Sequence, residues 1–405
     1  MQQIIIEKPY KFIPPRRGTW IQQIVLKLGL VDYYLKKVEG VISYELRGVD
    51  HFRESLRQGH GILLTPNHCR YADPMVMGWI SRETETPMYA MASWHLFQQS
   101  KLMQSAMTTM GAFSVYREGV DRQSLDLAVE ILASAERPLI IFPEGSVFRT
   151  NDQLQALLDG VAFIARTAAK KRAKQSSEKQ VVIHPIAIKY VYRGKDLASS
   201  IEPVLSTIER RLTWTSPSPG DTLQRVQRAV LGVLALKEVE HLGEAQPGRV
   251  AERQQRLIDH LLNPLEVEWL GKAQGGVIVP RVKSLRMKIL PEMTTGELSS
   301  QERDRRWKQL ANIYLAQQIA SYPPEYIVRP TTPTRILETV ERLEEDLTDK
   351  AHGHGPLHVI IEVGPAIPVP IERGARGEED PIMKQLRFEL QTMLRTLSCE
   401  AGVYS

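Results

Sequence analysis

Through the first half of the chain, short apolar runs alternate with amphipathic stretches. Between residues 40 and 193 the runs Val41–Leu46, Gly61–Thr65, Pro87–Met91, Ser114–Tyr116, Pro138–Phe142 and Val181–Tyr190 have the length of strands. Asp121–Ala135 and Leu154–Lys170 between them carry helical periodicity. This alternation predicts an α/β fold, a mostly parallel or mixed sheet flanked by helices. After Gly194 the pattern changes to long periodic helical runs, Leu223–Leu242, Glu252–Leu262 and Arg303–Ala320, set off by Pro217 and Pro219 before and Pro323, Pro324, Pro330 and Pro333 after. Strand character returns at Leu357–Val363, and an amphipathic helix follows near Pro381–Leu397. No internal repeat is evident. Upstream, residues 18 to 37 place Trp20, Ile21, Ile24, Val25 and Leu28 at helical spacing, flanked by Arg16, Arg17, Lys27, Lys36 and Lys37. Such a helix either caps the core or lies on an anionic lipid surface with Trp20 at headgroup level.

The expected organisation is an N-terminal helical, membrane-facing segment (1–39), a core (40–195), a large and mainly helical insert or subdomain (196–355), and a closing strand and helix of the core (356–405). With 405 residues, 42% of them apolar and 24% charged, the chain is expected to form a folded body of enzyme size. A net charge of +5 suits anionic partners. Nucleic acid is not expected among them, because the basic residues do not interleave with aromatics into a stacking platform. Two cysteines in unlike contexts, Cys69 and Cys399, form no disulfide framework and fit a reducing, cytoplasmic setting. The start MQQIIIEKPYKF lacks the apolar core of a secretory leader, and no run is long enough to be a transmembrane helix. Any membrane contact is expected to be peripheral, on the cytoplasmic face.

Candidate chemistry gathers at the ends of the predicted strands. Asn67-His68-Cys69-Arg70-Tyr71-Ala72-Asp73 follows the run Gly61–Thr65. His68 is a candidate general base, and Asp73 can fix its tautomer and stabilise the imidazolium. A Cys69–His68 dyad is disfavoured, since neighbouring side chains usually point apart. In Gly111-Ala112-Phe113-Ser114-Val115-Tyr116-Arg117, an arginine at a strand end suits a phosphate, two of whose oxygens its fork can bind. In Phe142-Pro143-Glu144-Gly145-Ser146-Val147-Phe148-Arg149, Gly145 permits a tight turn and Arg149 offers a second anion clamp. Glu144 can accept hydrogen bonds from hydroxyls, and the backbone N–H groups of Gly145 and Ser146 are candidate donors to an oxyanion. No Gly-x-Ser-x-Gly elbow surrounds Ser146, which argues against a serine hydrolase. Pro185 interrupts the run Val181–Tyr190, so an edge or a bulge is expected there, with Pro185 shaping a pocket wall and His184 a structural residue.

These segments, in this order, resemble the glycerolipid acyltransferase family, typified by 1-acylglycerol-3-phosphate acyltransferases. The family pattern is His-x4-Asp, a glycine–phenylalanine–arginine motif, Phe-Pro-Glu-Gly and a strand proline. The tail Val363-Gly364-Pro365-Ala366-Ile367-Pro368-Val369 is similar to the strand that closes the family's core. The resemblance covers roughly residues 40 to 193 and 357 to 398. It implies transfer of a fatty acyl group from acyl-CoA or acyl-carrier protein to the hydroxyl of a lysophospholipid-type acceptor, 1-acylglycerol-3-phosphate by default, in phospholipid biosynthesis or remodelling. It makes His68 and Asp73 catalytic and Asn67, Gly111, Phe113, Arg117, Phe142, Pro143, Glu144, Gly145, Ser146, Arg149 and Pro185 substrate-binding. No metal and no permanently bound cofactor are implied. The alternatives are a different lipid alcohol as acceptor and a catalytically silent acyl-lipid-binding member.

Two departures stand out. The family's third motif commonly continues Thr-Arg-Ser, whereas Ser146-Val147-Phe148 follows here and the arginine comes later, at Arg149. The insert before the closing strand is also larger than a typical member needs. Two further clusters carry weaker signals. Lys170, Lys171, Arg172 and Lys174 suit CoA phosphates, an acidic carrier or anionic lipid, or form a solvated linker. His352-Gly353-His354 with His358 has metal-ligand spacing, and reads as a glycine-rich turn with solvent-facing histidines.

Overall fold

The computed structural model describes residues 8–174, 179–212, 220–296, 298–372 and 379–404; Pro217 and Pro219 lie outside the described residues. Along the chain, α1 (Trp20–Lys27) and α2 (Leu30–Val38) precede β1 (Val41–Arg47), α3 (Val49–Arg57), β2 (Gly61–Pro66) and α4 (Asp73–Glu83). Then come β3 (Tyr89–Ser93), α5 (Trp94–Phe97), α6 (Lys101–Thr109), β4 (Ala112–Val115), α7 (Arg122–Ser134), β5 (Leu139–Ile140), α8 (Gly160–Ala173) and β6 (Val181–Tyr192). Six helices follow: α9 (Leu197–Arg211), α10 (Thr222–Leu242), α11 (Val250–Leu270), α12 (Ile278–Thr295), α13 (Ser300–Ala320) and α14 (Pro333–Thr348). The chain closes with β7 (Leu357–Val363), β8 (Ile367–Pro368) and α15 (Pro381–Ser398). Two compact units result: Tyr10–Arg193 with Pro356–Glu400, and Met1–Pro9, Gly194–Gly355 and Ala401–Ser405.

The first unit holds one mixed sheet in the order β1-β7-β6-β2-β5-β3-β4, with β8 added beside β6. Strands β6, β2, β5, β3 and β4 run parallel, β7 pairs antiparallel with β6 and parallel with β1, and β8 pairs antiparallel with β6. Every residue of β2 and β6 is buried, as expected of central strands covered on both faces. On one face, Ile183 joins a core with Leu132 of α7, Ala165 of α8 and Leu390 of α15. On the other, His184 meets Phe52 and Ser55 of α3.

Several boundaries differ from the sequence reading for local reasons. The helix expected over 18–37 is two helices, because Gly29 takes a left-handed conformation (φ 66°) between them. The helix expected from Leu154 begins at Gly160: the backbone N–H groups of Gln155 and Leu158 are committed to Glu144 and to the Pro143 carbonyl. Pro185 lies at neither an edge nor a bulge. It is inside β6, opposite Thr65, at the gap where β8 has ended and β7 has begun to pair, so its missing N–H leaves no ladder bond unmade. The basic cluster is the last turn of α8 rather than a linker. Its Arg172 is buried and donates to the carbonyls of Ala133 (2.6 Å) and Gly59, while Lys171 pairs with Glu130.

Within the helical unit a duplication appears that the sequence reading overlooked. Glu238-Val239-Glu240 and Glu266-Val267-Glu268 each lead to a Leu-Gly pair, an Ala-Gln pair and an arginine, Arg253 and Arg281. The contacts repeat atom for atom. Glu238 accepts from Gln246 N (3.0 Å) and from Arg253 Nε and Nη2 (2.9 and 2.6 Å). Glu266 accepts from Gln274 N (2.8 Å) and from Arg281 Nε and Nη2 (2.7 and 3.2 Å). Gly243 and Gly271 end α10 and α11 at φ 86° and 83°. A buried acid thus satisfies each helix-to-helix turn. Leu257, Leu261, Leu285, Ile289, Leu310 and Ile313 form the core shared by α11, α12 and α13.

Candidate active site

Because β2, β5, β3 and β4 run in one direction, the segments that leave their carboxyl ends emerge on one side of the sheet. His68 follows β2, Glu144 follows β5 and Arg117 follows β4. This end of a parallel sheet is where α/β folds place ligands.

His68 Nδ1 lies 2.9 Å from Asp73 Oδ2. A carboxylate only accepts, so Nδ1 carries the hydrogen and Nε2 presents the lone pair. The His68 side chain is 16% exposed and Asp73 is fully buried. Asp73 opens α4, where a negative charge is favoured by the helix N-terminus. Its Oδ2 also accepts from the backbone N–H groups of Cys69 (2.7 Å) and Arg70 (2.8 Å). Its Oδ1 accepts from the Tyr190 hydroxyl at 2.8 Å. Burial, reinforced by Asp73, pushes that hydroxyl well above the ordinary tyrosine range, so Tyr190 remains a donor. The imidazole rests against Phe142, ring centroids 4.2 Å apart. The Cys69 thiol approaches Asp73 Oδ1 at 3.8 Å, so it belongs to the support of the carboxylate.

Glu144 occupies a position unlike the one expected from sequence. It is buried, and its two oxygens accept from the backbone N–H groups of His68 (2.6 Å) and Gln155 (2.7 Å). Both oxygens are therefore engaged with the chain itself, and the side chain fixes the main chain that carries His68. Burial pushes its carboxyl up to about 8, against the pull of the two N–H groups. Asn67 is likewise a brace. Its amide accepts from Ile188 N (2.7 Å) and donates to Ile188 O (3.0 Å), extending the β2–β6 pairing by one side chain.

Arg117 reaches the Phe-Pro-Glu-Gly turn, where its Nη2 donates to Ser146 Oγ at 3.1 Å. Gly145 has φ 67°, and a Cβ there would come within 2.7 Å of Leu158 Cδ1 and 3.6 Å of Arg117 Nη2. Its N–H is spent on the Phe142 carbonyl at 3.2 Å, which withdraws it from the expected oxyanion role. Arg149 is buried, left-handed (φ 53°), with its guanidinium over the Tyr71 ring at 5.4 Å. Gly111, Phe113 and Pro185 are core positions. A Cβ at Gly111 would meet the Met88 carbonyl at 2.4 Å, Phe113 is fully buried, and Pro185 packs against Gly364 on the face of Met393. His184 is a satisfied core histidine, bonded to Ser55 Oγ and the Gly364 carbonyl at 2.9 Å each, and burial lowers its imidazole to about 4.

An imidazole held by a buried carboxylate at the carboxyl ends of parallel strands is an arrangement with the chemistry to accept a proton from a nucleophile. Residues 48–189 match the family model described as Acyltransferase, and this segment is an acyltransferase domain. The match spans all four motif segments. No curated protein matches the chain. Among the described residues, no helix is long and apolar enough to cross a membrane.

Sequence reading missed Tyr190, the only side-chain hydroxyl bonded to Asp73 among the described residues. Its signal was its place in β6: Tyr190 shares with His184 the strand face that looks towards α3 and α4, and that alternation could have flagged it.

Proposed function

We propose that the protein transfers a fatty acyl group from acyl-CoA or acyl-carrier protein to the hydroxyl of a phosphate-bearing lysolipid, with 1-acylglycerol-3-phosphate as the leading acceptor. The observation that carries this reading is the His68 imidazole, tied to Asp73 at 2.9 Å inside the acyltransferase domain. In this mechanism Nε2 takes the acceptor's hydroxyl proton as its oxygen attacks the thioester carbonyl. The tetrahedral oxyanion then collapses, the C–S bond breaks, and the thiolate leaves with the proton from the imidazolium. The acceptor takes the place of an enzyme serine, so no acyl-enzyme is needed. Asp73 stabilises the imidazolium, and Arg117 holds the acceptor phosphate in this reading, which its contact with Ser146 Oγ at the Phe-Pro-Glu-Gly turn supports.

Peripheral contact with an anionic membrane completes the proposal. Trp20 of α1, Leu28 at its C-cap and Tyr33 of α2 are 65%, 68% and 64% exposed, in the same segment as Lys27, Lys36 and Lys37. The opposite face is anchored, with Leu26 against Gly78 of α4 and Asp32 accepting from Trp79 and Arg82. A pair of helices fixed on one side and aromatic and basic on the other suits a bilayer interface.

The test is to incubate the purified full chain with acyl-CoA and acyl-carrier donors and a panel of lysophospholipids and neutral lipid alcohols, reading products by mass spectrometry. An acylated phosphate-bearing product is expected. Products from neutral alcohols alone would move the acceptor to another lipid class. Binding of acyl lipid without turnover would make the protein a silent acyl-lipid binder.

A further inference from the structure

The helical unit holds a second cluster of chemistry-bearing side chains. Glu344 lies in the last turn of α14, and the following loop brings two imidazoles back to it. His352 Nδ1 is 3.0 Å from Glu344 Oε1, and His354 Nε2 is 2.7 Å from Oε2. One ligand atom from each of the three residues lies within 4.8 Å of the others. The turn is therefore not merely a solvent-facing one: Glu344 and His354 are largely covered, and only His352 is open, at 54%.

The scaffold is built to hold this arrangement. The backbone N–H of His354 donates to buried Glu341 Oε1 at 2.7 Å, one helical turn before Glu344. The Thr348 hydroxyl donates to the Glu344 carbonyl at 2.6 Å and accepts from Lys350 N at 3.3 Å, closing the helix end. Gly353 separates the histidines with no side chain of its own, and their rings stand edge to face, 6.2 Å apart. His358 is not part of the group, since its Nδ1 pairs with Ser43 Oγ at 2.8 Å.

We propose that Glu344, His352 and His354 form a binding site for a borderline-soft divalent cation, Zn²⁺ foremost. Two neutral imidazoles and one carboxylate are the donor set that zinc takes at sites with an open fourth position for water. The nitrogen donors disfavour calcium and magnesium, which take oxygen ligands. Binding replaces the two His–Glu hydrogen bonds with three metal bonds, and the cation clasps the loop 349–355 to α14. This proposal uses none of the residues assigned to acyl transfer and does not depend on that reading.

The experiment is equilibrium dialysis of the tag-free full chain against Zn²⁺ at micromolar concentrations, paired with the visible spectrum of the Co²⁺-loaded protein. One ion per chain and the intense absorption of tetrahedral cobalt are expected. Glu344→Gln and His354→Ala should each weaken binding by roughly tenfold or more, with far-UV circular dichroism unchanged. His241→Ala, at a histidine outside the cluster, should leave binding unaltered. Failure to retain one ion per chain, or retention undiminished in both His354→Ala and Glu344→Gln, would overturn the site.

Discussion

Glu144→Gln separates the bracing of the His68 turn from the titration of the carboxyl. Glutamine keeps the shape of the side chain but offers one acceptor oxygen where the carboxyl offers two. One of the two N–H groups now bound, that of His68 or that of Gln155, is left facing an NH₂ group. An orphaned buried donor costs about 1–3 kcal/mol, so the variant should be less stable than wild type by that amount at pH 5. The sign of the pH effect follows from the raised carboxyl. Held at about 8 in the folded chain and at its ordinary 4.5 when unfolded, Glu144 binds its proton more tightly in the fold. Its contribution is therefore fully present below 4.5 and is lost as pH rises through 8. Between pH 5 and pH 9 wild type should lose on the order of 4 kcal/mol that the variant, with nothing to titrate there, retains. The order of stability should thus reverse by pH 9. Urea unfolding of both proteins, followed by circular dichroism at the two pH values, reads this directly, because titrations common to both cancel. A deficit of the variant that stays constant between pH 5 and pH 9 would refute the assignment of a protonated, buried Glu144.

Two other substitutions test the division between braces and ligand-facing groups. Asn67→Ala removes a buried amide that serves both backbone groups of Ile188, and should cost about 2–4 kcal/mol in urea unfolding; a loss under about 1 kcal/mol would mean that Asn67 is not a brace. Arg117→Ala should raise KM roughly tenfold or more for a phosphate-bearing acceptor and leave KM for a neutral lipid alcohol unchanged. Equal effects on both acceptors would remove Arg117 from phosphate binding.

The sheet was legible in the sequence wherever a strand is buried on both faces, since β2 and β6 are nearly unbroken apolar runs bounded by polar residues. The short strands were located but not their ends: the run Pro138–Phe142 contains β5, which makes only two ladder residues before Phe142-Pro143 turns away. Helix α12 escaped notice because Pro280 and Pro291 lie within its span: Pro280 stands in the first turn, where no intrahelical N–H bond is lost, whereas Pro291 interrupts the helix interior. In the site, the His68–Asp73 spacing announced a contact that the structure realises, since both ends of one turn are pinned by the same carboxylate. The roles of Asn67 and Glu144 were not legible. Whether a polar side chain faces a ligand or its own backbone depends on which strand lies beside it, and that is a property of the sheet order. Arg149 shows the same limit: the motif suggests a clamp, whereas its left-handed backbone and the Tyr71 ring turn it inward.

His68→Gln removes the imidazole and leaves a side chain that can still hydrogen-bond Asp73. Single-turnover acyl transfer, measured with donor and acceptor saturating, isolates the chemical step from binding. A fall on the order of 10²–10⁴-fold with donor and acceptor affinities retained is predicted for the loss of a general base. Transfer by His68→Gln within about tenfold of the wild-type rate would contradict the assignment of His68 as that base.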